Sequence, residues 1–302
     1  MMNLKSDNQF DFGSFILANE IRLSSICEIN DIVSNMIEGL KKRDHEFNFK
    51  KLCPIYRGES QKYTTTLLPG IFRKMANQKL LPTYEGCLFN AFIKNYPQFK
   101  DHQPLSVLSM MQHYGFPTRL LDWTLKLEVA LYFCCMFNRD KDGYLYIYVP
   151  TMTYLNAGQY EEPLSAFHDS VQYHYFKQVL LEHNEKDHQK FWEDLTNNHN
   201  LLTEITIIPW WLVLKPTAIQ VINHREKMQN SVFTFHLGYV NEKKLYAAPP
   251  AFKKFAKQTV SRIVIPAELK SEIINLIKKD EVTTAKLFPE PLFLDEDYIF
   301  NT

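Results

Sequence analysis

The residues that could do chemistry in this sequence are concentrated in three short polar segments, each set among apolar neighbours. The segments read YRGE at residues 56–59, QHYGFPTRLLDWT at residues 112–124 and REKMQNSVFT at residues 225–234. Burying a polar group without a partner costs roughly 2–7 kcal/mol, so these side chains need protein partners or a ligand. We therefore take the three segments as the candidate site and expect Arg57 and the block from His113 to Asp122 to border one pocket.

Several common catalytic and cofactor motifs are missing. The sequence has no Gly-x-x-x-x-Gly-Lys phosphate loop, no Gly-x-Ser-x-Gly nucleophile turn, no His-Glu-x-x-His helix and no Gly-x-Gly-x-x-Gly fingerprint. Ten histidines are scattered, and His183 and His188 lie in a polar, exposed-looking stretch. The sequence thus argues against P-loop, serine-hydrolase, zinc-protease and Rossmann chemistry, and we expect no metal site.

The elements that position the three segments are predicted from hydrophobic periodicity and turn residues. Helices are expected at residues 25–43, 85–99, 105–114, 125–137, 166–181 and 266–279. Strands are expected at residues 52–58, 118–122, 143–149, 205–214, 218–223, 231–237 and 260–265. Helices dominate the first half and strands the second, so the sequence predicts an α+β fold. We expect one domain over residues 1–302, with an N-terminal helical segment at 1–50 and an α+β core at 51–302.

The polar segments resemble those of the FRG-domain family, which is named for an aromatic-Arg-Gly motif. The resemblance lies in Arg57-Gly58, in the block HYGFPTRLLDWT at residues 113–124, in the Arg-x-x-x-Gln-x-x-x-Phe segment from Arg225, and in the tail TAKLFP at residues 284–289. Ser231 stands where the family usually has glycine, which could shift the turn there. We expect the resemblance to extend over nearly the whole chain.

The order of these residues is also similar to that in ADP-ribosyltransferases. Those enzymes carry an Arg or His on a first core strand, a Ser or Thr strand after several helices, and a Glu or Gln near a late strand. Arg57, Thr118 and Gln229 stand at the matching places in this sequence. The resemblance implies a split, strongly twisted mixed sheet, helices inserted in the N-terminal half, and a pocket that takes NAD as a substrate.

The resemblance also implies roles for individual residues. Arg57 would grip pyrophosphate or ribose, and Gly58 would let the ligand approach the backbone. Cleavage of the glycosidic bond passes through an oxocarbenium-like state that a carboxylate normally stabilises, and Gln229 carries no charge. We expect the catalytic residues to be Gln229, Glu226 and His113. The expected binding residues are Arg57, Gly58, Tyr114, Thr118, Arg119, Asp122 and Arg225.

Because Gln229 is uncharged, a nearby carboxylate such as Glu226 would have to supply the negative charge, and two geometries are open for this pair. A helical turn would bring the side chains of Glu226 and Gln229 onto neighbouring positions. An extended segment would put them on opposite faces, and Gln229 would then act only by hydrogen bonding.

The candidate residues also have structural interpretations. Arg57 could pair with a carboxylate in the core. Asp122 could cap a helix that starts near Trp123 or Thr124, and Trp123 itself is expected in the core.

Three classes of function follow from these residues. The first is an NAD-using ADP-ribosyltransferase or NAD glycohydrolase, such as a bacterial toxin or antiviral defence effector that modifies protein or nucleic acid. The second is a non-catalytic nucleotide- or nucleic-acid-binding module that keeps the pocket without the acid. The third is an interaction or defence scaffold in which the polar segments are structural.

Composition and charge indicate the compartment in which the protein is expected. Lys plus Arg and Asp plus Glu are both 34, so no global field attracts nucleic acid or an anionic membrane. The five cysteines include no Cys-x-x-Cys pair, and we expect buried free thiols in a reducing compartment. The longest apolar run, residues 129–137, is too short to cross a bilayer, and the apolar run at residues 15–18 is too short for a signal sequence. We therefore expect a cytoplasmic protein.

Overall fold

The computed structural model describes residues 11–12, 15–43, 53–75, 84–100, 102, 104–118, 120–150, 211–214, 224–236, 239–241, 244–246 and 258–289. These residues fall into two compact units, and each is described by itself. The first unit holds the described residues up to Leu67, from Trp123 to 150 and from 258 to Leu287. The second holds those of 68–122 and 211–246, together with residues 288–289. The prediction of a single domain stays a prediction.

The described strands are β1 (Asp11–Phe12), β2 (Phe15–Arg22), β3 (Ile55–Glu59), β4 (Leu120–Thr124), β5 (Gly143–Tyr148), β6 (Trp211–Leu214), β7 (Ser231–His236), β8 (Tyr239–Asn241), β9 (Lys244–Tyr246) and β10 (Gln258–Ile265). The described helices are α1 (Ile29–Arg43), α2 (Gly70–Met75), α3 (Tyr84–Asn95), α4 (Pro104–His113), α5 (Leu127–Cys135), α6 (His224–Met228), α7 (Lys270–Lys279) and α8 (Thr284–Leu287). Short 3₁₀ turns precede α1 and α7 and follow α3.

The first unit is built on a mixed sheet in the order β1-β2-β10-β5-β3-β4. Strands β2 and β10 are parallel, whereas β10 with β5 and β5 with β3 are antiparallel. Strand β4 joins the sheet where Thr124 pairs with Tyr56. A mixed sheet with several helices confirms the predicted α+β class.

Helix α5 lies against one face of this sheet at close range. A Cβ built on Gly58 would lie 2.0 Å from the carbonyl oxygen of Ala130, and one built on Gly143 would lie 2.6 Å from that of Cys134. Only glycine lets the two backbones come this close. Because successive strand residues point to opposite faces, Arg57 and Glu59 point away from α5.

A side chain caps the 3₁₀ turn that leads into α1. The Ser25 hydroxyl accepts the N–H of Cys27 at 3.4 Å in this turn. Glu28, three residues after Ser25, accepts a hydrogen bond from the Ser24 hydroxyl at 2.6 Å. The two contacts fix the start of the helical segment that the sequence predicted at residues 25–43.

Strand β2 is a difference from the sequence prediction, which assigned residues 1–50 as helical. Apolar and polar residues do not alternate regularly along β2. Its parallel register with β10 also shifts between Val260 and Ser261. The pairing joins segments about 240 residues apart, so no local signal indicates it.

The start of α5 corrects the structural interpretation of Asp122. Strand β4 continues to Thr124 and α5 begins only at Leu127, with Lys126 at the cap position and no side-chain cap. Asp122 is therefore an exposed mid-strand residue, and it does not cap this helix. Trp123 is 2% exposed and its ring contacts Tyr148, as expected for a core residue.

The cysteines are all free, but the expectation that they are buried holds for only two of them. Cys134 and Cys135 are buried in α5, while Cys27, Cys53 and Cys87 are exposed. Burial raises the pKa of Cys135 to about 12, so this thiol stays protonated and unreactive.

The second unit is held partly by aromatic packing between α3 and the turn after α4. The rings of Phe92 and Tyr96 contact that of Tyr114 at centroid distances of 5.7 and 4.8 Å. The 3₁₀ turn begins at Pro97, which ends α3 earlier than predicted because proline lacks the N–H that a helix interior needs. In the same unit, β6 pairs antiparallel with β7, and α6 directly precedes β7.

Candidate functional site

In the first unit, a row of polar side chains crosses the sheet face opposite α5. The register pairs Arg57 with Tyr146, Tyr146 with Arg262, and Arg262 with Glu20. Directly paired residues point to the same face, so these four side chains form one line across β3, β5, β10 and β2. Arg57 is the only member of the row that the sequence analysis had selected.

Glu59 is the anchor for the Arg57 end of this row. Its carboxylate accepts the Nε–H of Arg57 at 3.4 Å, the hydroxyl of Thr66 at 2.9 Å and the backbone N–H of Leu67 at 3.5 Å. The side chain of Glu59 is 6% exposed and that of Arg57 is 16% exposed. Three donors, one of them the cationic Arg57, therefore compensate a nearly buried negative charge.

Tyr146 connects Glu59 to the second arginine of the row. It is 1% exposed, and its hydroxyl is hydrogen-bonded to the side chains of Arg262 and Thr66. Burial, with the charge of Glu59 as a second cause, raises the pKa of Tyr146 well above its usual value, so its proton is retained. Arg262, 3% exposed, also pairs with Glu20 and lies over the ring of Tyr144 at 5.2 Å.

These contacts confirm that Arg57 pairs with a core carboxylate. They leave its predicted role in gripping a ligand as a prediction. The close backbone approach that glycine permits at position 58 is used by helix α5, and the predicted ligand role of Gly58 also stays a prediction.

In the second unit, helices α4 and α6 bring together several predicted site residues. The Ser109 hydroxyl on α4 donates a hydrogen bond to the carboxylate of Glu226 on α6. Ser109 is 2% exposed, and Glu226 is half-buried. His113 lies four residues after Ser109, so the two side chains share one face of α4.

The segment after α6 decides between the two geometries for Glu226 and Gln229. The N–H of Gln229 donates to the carbonyl of Arg225 at 2.9 Å, which continues the helical turn by one residue. Asn230, with φ of 46°, then turns the chain into β7. The helical alternative is confirmed, and a carboxylate and an amide lie on neighbouring positions immediately before a late strand.

Other predicted binding residues of this unit have protein contacts. Arg225 lies over the ring of Phe288 at 4.6 Å, and Tyr114 packs in the aromatic group of α3. Thr118 is 1% exposed; its hydroxyl donates to Gln112 at 2.5 Å and accepts the N–H of Leu120 at 3.2 Å. The Thr118 proton is therefore already committed to Gln112. Arg119 lies outside the described residues.

Six residues of these two groups had no predicted role, and Glu20 and Thr66 are among them. Glu59 was quoted in its segment but given no role, and Ser109, Tyr146 and Arg262 lie in apolar stretches that predicted only core elements. The alternation Tyr144-x-Tyr146-x-Tyr148 was a usable signal, because it places three phenol rings on one face of a strand.

Within the part of the chain that the structure describes, no cluster of three His, Cys, Asp or Glu side chains could hold a metal ion. Over the same residues, none of the helices combines the length and apolar character that crossing a membrane requires.

The geometry thus defines an α+β chain with a buried polar row in one unit and an acid–amide turn in the other. The family model described as FRG domain matches residues 54–143, which include β3, the turn after α4 and β4. The chain therefore contains an FRG domain, and the resemblance to the FRG-domain family is confirmed. The similarities noted around Arg225 and in the tail lie outside the matched range and stay predictions. No curated protein and no solved structure matched the chain.

Proposed function

We propose that this protein is an NAD-binding, ADP-ribosyltransferase-like enzyme that breaks the bond between nicotinamide and ribose. The proposal includes the split-sheet, ADP-ribosyltransferase-like form of the α+β fold. The observation that carries it is the acid–amide turn, in which Glu226 stands one helical turn from Gln229 directly ahead of β7.

The turn supplies the two groups that the reaction needs. As the C1′–N bond breaks, nicotinamide leaves with the bonding electron pair and positive charge develops on the ribose. The Glu226 carboxylate would stabilise that charge, and the Gln229 amide would orient the ribose hydroxyls. An oxygen of water, or of a protein or nucleic-acid acceptor, then bonds to C1′ and releases its proton to solvent.

A partly buried carboxylate suits this role. In a site of lower dielectric, a fixed negative charge interacts more strongly with a developing cation than it would in water. The Ser109 hydroxyl also holds the carboxylate in one orientation before any ligand arrives. The resemblance to ADP-ribosyltransferases suggests that Arg57 grips phosphate oxygens, and its guanidinium is already held by Glu59.

The test is NAD consumption by the purified full-length chain. We expect Glu226→Gln, which keeps the size of the side chain and removes its charge, to lower kcat on the order of 10²–10³-fold. Gln229→Ala should cause a smaller loss, because it removes hydrogen bonds and no charge. Glu272→Gln on the exposed face of α7 is the matched control and should leave the rate unchanged.

Each outcome has a defined meaning. Loss in the Gln229 variant alone would show that the amide only orients the ligand and that the acid is elsewhere. Absence of NAD consumption by the wild type, with and without protein and DNA acceptors, would overturn the enzymatic proposal. NAD binding in calorimetry without consumption would favour the non-catalytic nucleotide-binding module.

A further inference from the structure

We propose that Glu59, Thr66 and Tyr146 are positioning residues that fix the guanidinium of Arg57 for an anionic ligand of the pyrophosphate type. The inference rests on the proposed nucleotide binding, because it assumes that Arg57 contacts the ligand. It adds residues to which the sequence analysis gave no role.

The first step is the continuity of the hydrogen bonds. Arg262 can only donate, so its guanidinium donates to the hydroxyl oxygen of Tyr146. The Thr66 hydroxyl is hydrogen-bonded to that of Tyr146, and it lies 2.9 Å from both the Glu59 carboxylate and the Tyr63 carbonyl, which share its single proton. A continuous hydrogen-bond chain therefore links Arg262 through Tyr146 and Thr66 to the Glu59 carboxylate.

The second step is the anchoring of the two ends. At one end, Arg262 is 3% exposed and its charge is paired with Glu20. At the other end, the Glu59 carboxylate takes the Nε–H of Arg57 at 3.4 Å. Hydrogen bonds in such a chain polarise one another, so a change at Tyr146 reaches the carboxylate that orients Arg57.

Backbone strain at Leu67 is independent support. Leu67 has φ of 56°, a left-handed conformation that a bulky residue rarely adopts, and it is 1% exposed. Its N–H points to the Glu59 carboxylate at 3.5 Å. Strain of this kind is stored where the surroundings require a particular geometry. Here the strained backbone places the Leu67 N–H among the donors that surround the Glu59 carboxylate.

The physical benefit is a lower entropy cost of binding. An arginine side chain free to rotate loses several rotamers when it grips a phosphate, whereas a guanidinium held in one plane has already lost them. Arg57, at 16% side-chain exposure, is more accessible than Arg262, at 4%. A ligand is therefore expected at the Arg57 end of the row.

The experiment compares two buried tyrosines that each lose a hydroxyl hydrogen bond. Tyr146→Phe removes the hydroxyl that links Arg262 to Thr66 in the hydrogen-bond chain. Tyr132→Phe is the matched control, because Tyr132 is 2% exposed and its hydroxyl donates to that of Thr284 at 2.8 Å. With ADP-ribose as the calorimetric probe, we expect Tyr146→Phe to raise Kd about five- to tenfold and Tyr132→Phe to leave it within about twofold.

A second series changes the hydroxyl next to Glu59. Thr66→Val removes it at constant size and should raise Kd as much as Tyr146→Phe does, whereas Thr66→Ser should restore wild-type affinity. Equal affinities for the Val and Ser variants, or equal effects of Tyr146→Phe and Tyr132→Phe, would overturn the positioning role.

A ligand-independent measurement separates this inference from the proposed function. The Nε–H NMR signal of Arg57, assigned with Arg57→Lys, should exchange slowly with solvent in wild type and Tyr132→Phe. It should exchange faster in Tyr146→Phe and Thr66→Val. If wild type does not bind ADP-ribose, the calorimetric comparison gives no answer and the Nε–H exchange of Arg57 is the deciding measurement. Unchanged exchange in Tyr146→Phe and Thr66→Val would overturn the positioning role, whereas the proposed function is decided separately by NAD consumption.

Discussion

Lys270, at the first position of α7, is fully buried with an exposure of 0%. Its ammonium donates to the carbonyls of Ser60 at 2.7 Å, Asn138 at 2.9 Å and Phe137 at 3.3 Å. Asn138 in turn donates its side-chain amide to the Ser60 hydroxyl at 2.8 Å. Lys270 and Asn138 therefore join the end of β3 to the segment after α5. Burial lowers the pKa of Lys270.

We expect Lys270→Met to destabilise the protein by about 3 kcal/mol, because it leaves buried carbonyls without their donor. Lys278→Met on the exposed side of the same helix is the control and should change the free energy of unfolding by less than about 0.5 kcal/mol. Urea denaturation followed by circular dichroism measures both. Similar midpoints for the two variants would show that the buried lysine contributes nothing specific.

At the scale of elements, the contact between the sheet and α5 depends on glycine. At Gly58 the nearest atoms are backbone atoms of Ala130 and Cys134, which cannot rotate away. Gly39 in α1 is different, because a Cβ there would meet nothing within 4 Å. The glycine of the Arg-Gly motif therefore serves the packing of a strand on a helix, whatever else it contacts.

The same substitution at these two glycines should have opposite effects. Gly58→Ala should cost about 3 kcal/mol or more, because strand and helix must move apart. Gly39→Ala should stabilise by about 0.5–1 kcal/mol, because alanine is the better helix former. Thermal unfolding of the two variants beside wild type is the measurement, and a Gly58→Ala protein as stable as wild type would contradict the close packing.

For the first unit as a whole, Asp142 ties together segments that lie far apart in the sequence. Its carboxylate accepts a hydrogen bond from Arg22 of β2 at 2.5 Å and from the N–H of Ala267, ahead of α7, at 3.1 Å. The hydrogen bond from Arg22, and secondarily that of Ala267, holds the pKa of this carboxyl below its usual value.

This pKa shift predicts a pH dependence of unfolding. An acid with a lowered folded-state pKa contributes stability that is fully present above its unfolded pKa of about 3.9 and is lost as the pH falls through the folded pKa. We expect the thermal midpoint to drop in acid and the Asp142→Asn variant to lose part of that dependence. Melting curves from neutral pH down to acid test it, and parallel curves for both proteins would count against a role for Asp142.

The sequence by itself determined the class of fold, the FRG domain and several of the described elements, while the predicted helix at 166–181 and strand at 218–223 lie outside the described residues. Periodicity and turn residues act over a few neighbours, so β3, β5, α4 and the late strand β10 were predicted close to their observed bounds. The helical turn of Glu226 and Gln229 was one of two stated alternatives for the same reason. The Arg-Gly motif and the block at residues 113–124 were sufficient for the FRG domain.

Only the tertiary structure decided which polar residues act together. Glu20 and Arg262 lie 242 residues apart, and their pairing depends on the parallel register of β2 with β10. Ser109 and Glu226, 117 residues apart, meet only when α4 and α6 pack. Such contacts depend on long-range geometry that residue type and spacing do not encode locally. For this reason the partner of Glu226 could be recognised only in the folded chain, whereas Glu59 lies two residues from Arg57 on the same face of β3.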